Sequence, residues 1–295
     1  MAKMIIKRII NKFRFHANRF ILSIKSIKKV YKYGGYTPVN ITKINYGEIL
    51  QGKKILITGG SSGIGLSIAK KCISGGAMVV ITGRNAEKLK ETDKQINNSR
   101  LKTLIWDISD ITQTDEHIVK TEKLLEGTID VLVNNAGVLL GGQNFPYVKE
   151  KVWDITYAIN SKGLFFLTQS IVKKWLDNKT NRGKKIINIS SQGGFVGALY
   201  PYRMSKWDVA GFTQGLGIKL APLGIIVNGI APGIIATGMQ PDTIKREENM
   251  FYPHIPIERF ALPDEIAELA HFLISDASNF IVGQTIICDG GFSIK

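Results

Sequence analysis

Residues 52–77 read GKKILITGGSSGIGLSIAKKCISGGA, and the order of elements within this stretch decides the fold. Gly52 and the lysines after it mark a turn, and Ile55-Leu56-Ile57 is a short β-branched apolar run of the kind that forms a buried strand. From Gly63 the apolar positions recur at helical spacing until the pair Gly75-Gly76 stops them. Between strand and helix lies TGGSSGIG, Thr58 to Gly65. Gly59 permits a tight turn there, while Gly63 and Gly65 let backbone and helix approach a ligand closely. The helix N-terminus adds free N–H groups and a partial positive charge, which suits a diphosphate.

The same alternation continues outward from this unit. MVVITG (78–83) is strand-like, NAEKLKETDKQINNS (85–99) is polar and helical, and LKTLIWDIS (101–109) is strand-like again. TQTDEHIVKTEKLLEG (112–127) follows as a helix and IDVLVNNAG (129–137) as an apolar strand. KKIINISS (184–191), a helix through KWDVAGFTQGLGIKLAPLG (206–224), and the strands IIVNGIAPG (225–233) and TIICDGG (285–291) complete the series. Continuous Val/Ile/Leu strands alternating with helices predict an α/β fold, a doubly wound parallel sheet with right-handed crossovers. One domain is expected over 51–295, preceded by a basic extension over 1–50.

Composition supports a globular body. The chain has 295 residues, 44% hydrophobic and 21% charged, with two cysteines and four histidines. Cys72 and Cys288 lie far apart in apolar segments, and neither they nor the scattered histidines have metal-ligand spacing, so no metal and a reducing, cytoplasmic setting are expected. The net charge is +15, but residues 1–50 hold eleven basic residues and one acid, which is +10 and leaves +5 for the rest. The basicity belongs to the extension, and no base-stacking aromatic platform in the body argues for nucleic acid.

SSQGGFVGALYPYRMSK (190–206) holds the chemistry-bearing residues. Residues four apart share a helix face, so Tyr202 can meet Lys206, whereas Tyr200 has Met204 at that offset. A phenol is a poor base near neutral pH, and a nearby ammonium is expected to lower its pKa. Tyr202 would then exchange a proton with a carbonyl or alcohol oxygen, which the Ser191 hydroxyl would hold in reach.

TGxxxGIG, NNAG at Asn134–Gly137, YxxxK at Tyr202–Lys206 and PG at Pro232-Gly233 occur in that order, and the chain resembles the short-chain dehydrogenase/reductase family over about residues 52–293. The resemblance implies a Rossmann-type domain with about seven parallel strands, and an oxidoreductase moving a hydride between NAD or NADP and a carbonyl or secondary alcohol. It implies catalytic roles for Asn160, Ser191, Tyr202 and Lys206, with Asn160 anchoring a proton-relay water and Lys206 also holding the nicotinamide ribose. For the cofactor it implies Gly59, Ser61, Ser62, Gly63, Ile64, Gly65, Asp107, Ile108, Asn135, Ala136, Gly137, Pro232, Gly233, Ile235 and Thr237. Asp107 would lie beside the adenine, Asn135 near its ribose and Thr237 at the carboxamide. At the end of the second strand, where NAD enzymes generally put an acid, Gly83 is followed by Arg84, which can pair with a 2′-phosphate, so NADP is favoured over NAD.

Ser191 and Tyr202 are eleven positions apart, which requires a tight connection that the glycines of GGFVG permit. If the spacing shifts the serine, Ser190 is the substitute. Tyr200 is a candidate for the substrate-pocket wall or for simple packing. Residues 239–263 fall where the family has a mobile lid. A homodimer or homotetramer is implied, pairing through helices near 154–175 and 202–221. In the extension, Ile6, Ile10, Phe13, Ala17, Phe20, Ile24, Ile27 and Tyr31 repeat by fours and threes among lysines and arginines. Three readings fit: a helix on an anionic membrane surface through residues 1–32, a helix packed on the enzyme or a partner, and an organellar transit peptide. A nucleotide-binding scaffold or redox sensor without turnover is the alternative to an enzyme.

Overall fold

The computed structural model describes residues 47–237 and 250–294, together with positions 17, 20, 21, 23–25, 27, 28, 30 and 31. Its centre is a seven-stranded sheet in the order β3-β2-β1-β4-β5-β6-β7, every pair parallel. The strands are β1 (Lys54–Ile57), β2 (Met78–Gly83), β3 (Leu101–Ile105), β4 (Val131–Asn134), β5 (Lys184–Ile189), β6 (Ile225–Pro232) and β7 (Thr285–Cys288). The helices are α1 (Gly63–Ser74), α2 (Ala86–Ile96), α3 (Thr114–Leu124), α4 (Glu150–Tyr157), α5 (Leu164–Asp177), α6 (Pro201–Leu220) and α7 (Pro263–Ile274).

The apolar strand runs follow from burial on both faces. Ile55, Ile57, Val79, Ile81, Val131 and Val133 face one core with Ile68 and Cys72 of α1 and Ile266, Ala270 and Leu273 of α7. Leu56, Val80, Leu132 and Ile186, the alternate positions, face a second core with Ile118 of α3 and Leu167, Ile171 and Trp175 of α5. Successive strand side chains point to opposite faces, and both faces are buried. Where Asn134 and Asn188 interrupt the pattern their amide groups are hydrogen-bonded: Asn134 Nδ2 donates to Asn188 Oδ1 at 2.9 Å and to Thr168 Oγ1 at 2.9 Å, and Asn188 Nδ2 donates to Thr213 Oγ1 at 2.9 Å.

The chain leaves β1 toward β2 and β3 on one side and continues with β4 on the other, so a crevice opens between the carboxyl ends of β1 and β4. A π-helical segment, Ala158–Gly163, joins α4 to α5. The sequence pattern gave no sign of it, because a one-residue insertion in the hydrogen-bond ladder leaves the apolar period nearly intact. Residues 239–249 of the expected lid lie outside the described residues, as do positions 6, 10 and 13 of the basic extension. The described positions from Ala17 to Tyr31 are helical and exposed. Among the described residues no helix is long and apolar enough to cross a membrane, and no three His, Cys, Asp or Glu side chains gather as a metal site.

Candidate active site

The glycine loop is built as a cradle. Gly59 has φ +65°, and a Cβ there would sit 2.9 Å from Ala136 Cα, so a side chain is excluded by both conformation and space. Gly63 has φ +55° and faces Thr237, whose Cγ2 would lie 3.1 Å from an added Cβ. Ser62, the N-cap of α1, makes no side-chain cap, so the first turn of α1, which holds Ile64 and Gly65, is not closed by its own cap residue. This open helix N-terminus opposite Thr237 fits the diphosphate of a dinucleotide.

Asn135, expected near a ribose, is tied to the glycine loop by its side chain. Its side-chain Nδ2 donates to the carbonyls of Thr58 and Gly59, both at 2.9 Å, and Thr58 Oγ1 accepts the N–H groups of Asn135 and Ala136 at 3.1 Å. The amide therefore clamps the glycine loop to the end of β4, because carbonyls turned inward by the loop need buried donors. A Cβ on Gly65 would meet Asn135 Nδ2 at 2.4 Å, so Gly65 serves this packing. Gly233 is likewise a close approach, its would-be Cβ 2.6 Å from Asp289 Cα beside Pro232, while Ile235 bridges Ala261.

At the ends of β2 and β3, a Cβ on Gly83 would lie 3.3 Å from Ser61 Oγ, and Arg84 extends from the next position. The Arg84 guanidinium stands 3.9 Å from an Asp107 carboxylate oxygen, both side chains about half exposed. Asp107 is turned by Ser109, whose N–H and hydroxyl donate to it at 3.0 and 2.7 Å. Ile108 gives its carbonyl to a tight contact with Gly163 of the π-helical segment.

Tyr202, Lys206, Ser191 and Asn160 converge where β4, β5 and α6 meet. The Ser191 hydroxyl lies near enough to the Tyr202 phenol to bear on its titration, and it accepts the Gly193 N–H at 3.1 Å. Ser190 points the other way and donates to the Lys206 carbonyl at 2.8 Å. Lys206 Nζ lies 5.9 Å from the Tyr202 ring centroid and donates to the Ile189 carbonyl at 2.9 Å. Asn160 Oδ1 accepts the Val138 N–H at 2.8 Å, and its Nδ2 donates to the Val138 carbonyl at 3.0 Å and to Ser205 Oγ at 3.1 Å. Gly137 keeps the space between them open: a Cβ there would stand 3.3 Å from Asn160 Oδ1 and 3.4 Å from Lys206 Nζ.

Two expectations change. Burial raises the Tyr202 phenol above its ordinary pKa, the nearby Ser191 hydroxyl pulling the other way, whereas an acidified phenol was expected from the neighbouring lysine. The amine itself is buried, and desolvation lowers it to about 8, so it gives up its charge as pH rises through that value. Second, the glycines after Ser191 are needed for space more than for a turn. Gly193 and Gly194 do not have positive φ, and a Cβ on Gly194 would meet the Lys206 carbonyl oxygen at 2.6 Å. Tyr200 packs under Arg203, whose guanidinium carbon lies 5.2 Å from its ring centroid. Sequence reasoning missed Gly60, where a Cβ would meet Ile81 at 2.5 Å, and Ser205, which lies inside YxxxK and carries a polar side chain at a buried helical position.

A family model described as short chain dehydrogenase matches residues 53–248. The 3-oxoacyl-(acyl-carrier-protein) reductase FabG of Aquifex aeolicus is 33% identical over 247 residues, covering 82% of this chain and 98% of the relative. Among solved structures, a 3-ketoacyl-(acyl-carrier-protein) reductase from Brucella melitensis complexed with NADH superposes with a TM-score of 0.75 at 30% identity, covering 83% of this chain and 99% of that one. A short chain dehydrogenase from Burkholderia cenocepacia in complex with NADP gives 0.73 at 28% identity, covering 82% and 98%. With the parallel sheet, the glycine cradle and these matches together, the chain belongs to the short-chain dehydrogenase/reductase family and is an NAD(P)-dependent oxidoreductase acting on carbonyl or CH–OH groups.

Proposed function

We propose that the protein is an NADP-preferring reductase of a carbonyl compound in which Tyr202 donates the proton. The observation that carries this reading is the buried Lys206 amine 5.9 Å from the Tyr202 ring centroid, with Ser191 close by. When bound, the nicotinamide dinucleotide supplies or accepts the hydride. Gly59, Ser61, Ser62, Gly63, Ile64, Gly65 and Thr237 would hold it, with Asp107, Ile108, Asn135, Ala136, Gly137, Pro232, Gly233 and Ile235 shaping its walls and Arg84 meeting a 2′-phosphate. The Ser191 hydroxyl orients the substrate oxygen. A phenol whose pKa burial keeps high is neutral at physiological pH, which suits a proton donor. Lys206 and Asn160 hold the relay that returns a proton to Tyr202. NADPH oxidation against a broad panel of carbonyl compounds tests the reading: turnover by the wild type that falls about 100-fold or more in Tyr202→Phe, with NADPH still bound, is expected. Tight binding with no turnover on any compound favours a silent nucleotide-binding scaffold.

We further propose that the catalytic domain, 51–295, carries residues 1–50 as a basic amphipathic extension that lies on an anionic membrane surface, making a cytoplasmic enzyme peripheral. Phe20, Ile24 and Ile27 are exposed, and eleven basic residues fall within residues 1–50. Co-sedimentation with anionic vesicles should be lost in a chain starting near residue 45. A homodimer or homotetramer is supported by a groove of about 880 Å³ between α4, α5 and α6, lined by Trp153, Tyr157, Phe165, Phe166 and Phe212. Sedimentation of the purified protein distinguishes monomer from oligomer.

A further inference from the structure

Helix α6 begins with an unusual gap in its capping. The N-cap residue is Tyr200, whose side chain makes no cap hydrogen bond, and Pro201 at the first helical position has no N–H. The first donor the helix must satisfy is therefore the N–H of Tyr202, the proposed proton donor. A side chain from the far side of the cleft supplies the acceptor: Gln143 Oε1 takes the Tyr202 N–H at 2.8 Å, across 59 positions of sequence. The other end of the same amide is also fixed, with Nε2 donating to the Leu140 carbonyl at 2.8 Å. Gln143 turns inward from an otherwise exposed loop, flanked by exposed Gly141, Gly142 and Asn144, with Phe145 and Tyr147 standing out beyond it. Gly142, at φ +74°, makes the bend that presents it.

Resting on the reading of Tyr202 as proton donor, we propose that Gln143 is a positioning residue: it latches the loop between β4 and α4 to the first turn of the catalytic helix, so that loop position and phenol position move as one. The latch sets where the first turn of α6 sits, and the phenol hangs from that turn. It also places the loop that flanks the cleft under the same hydrogen bond.

The test uses the full chain with NADPH bound and three forms: wild type, Gln143→Leu and Gln143→Glu. Leucine removes the acceptor at similar size, while glutamate keeps an acceptor at a helix N-terminus, where negative charge is favourable. Amide hydrogen exchange read at Tyr202 in ¹⁵N-tyrosine-labelled protein should be at least tenfold faster in Gln143→Leu and near wild type in Gln143→Glu. With the best carbonyl substrate, kcat should fall about tenfold in Gln143→Leu while NADPH affinity stays within twofold. Gln143→Glu should recover most of kcat, with the pH dependence of the rate displaced upward because a carboxylate beside the first turn disfavours phenolate. Unchanged exchange at Tyr202 in Gln143→Leu overturns the latch, and so does a loss of kcat that glutamate does not restore. Absence of turnover in the wild type refutes the carbonyl-reductase reading, and the exchange measurement then decides the latch alone.

Discussion

The Ser190 hydroxyl donates to the backbone carbonyl of Lys206 at 2.8 Å, while its neighbour Ser191 accepts the Gly193 N–H on the side of the Tyr202 phenol. Adjacent serines at a strand end point in opposite directions, and here the two directions separate stability from chemistry. Ser191→Ala should lower kcat about 100-fold or more with little change in melting temperature, as removal of a group holding the reacting oxygen does. Ser190→Ala should keep most of the turnover and lose about 0.5–1.5 kcal/mol of stability, because it removes one buried hydrogen bond. Steady-state kinetics and urea unfolding of the two variants check both halves.

Lys206 is buried, and its amine is lowered from the ordinary lysine value to about 8. In the unfolded chain it binds its proton up to about pH 10.4. Between those values the unfolded state holds more protons than the native state, so stability rises with pH across this window. Below about pH 8 the buried charge costs the fold on the order of 3 kcal/mol. Lys185, buried against the carbonyls of Leu273 and Ser275 and also lowered to about 8, contributes with the same sign. The urea midpoint should therefore climb from pH 8 to 10, and Lys206→Met should flatten part of that climb. Equal slopes in wild type and variant would contradict it.

Arg84 stands at the end of β2 beside Gly83, which leaves the neighbourhood of Ser61 free of a side chain. Replacing Arg84 by Ala should weaken NADPH about tenfold or more and leave NADH within twofold, since only the 2′-phosphate loses its paired cation. Placing an acid at position 83 should reverse the preference. Fluorescence titration with both reduced cofactors measures the ratio directly.

Gly65 touches the clamp that Asn135 makes on the glycine loop, with 2.4 Å between its would-be Cβ and Nδ2. Gly65→Ala should break the bonds to Thr58 and Gly59 and weaken dinucleotide binding by at least tenfold. Asn135→Ala should produce a similar loss by the opposite route, removing the donors while keeping the space. An Asn135→Ala protein with wild-type cofactor affinity would mean the clamp does not shape the cradle.

The sequence by itself determined the sheet and the location of the site. Strand runs such as Val79–Ile81 and Val131–Val133 are apolar at every position because both faces are covered, and that pattern is local enough to read directly. The pairing of Tyr202 with Lys206 was legible for the same reason, since four positions on a helix make one face. The tertiary structure decided what depends on groups distant in the chain. Only the packing of β5 against α6 shows that Ser190 is spent on the Lys206 carbonyl, and only desolvation inside that packing pushes the phenol up when its neighbour suggested down. Asn135 turning under the glycine loop and Gln143 reaching across the cleft have no local signature. Hydrogen bonds between residues 59 to 77 positions apart carry no periodicity, and it takes the folded backbone to bring donor and acceptor within reach.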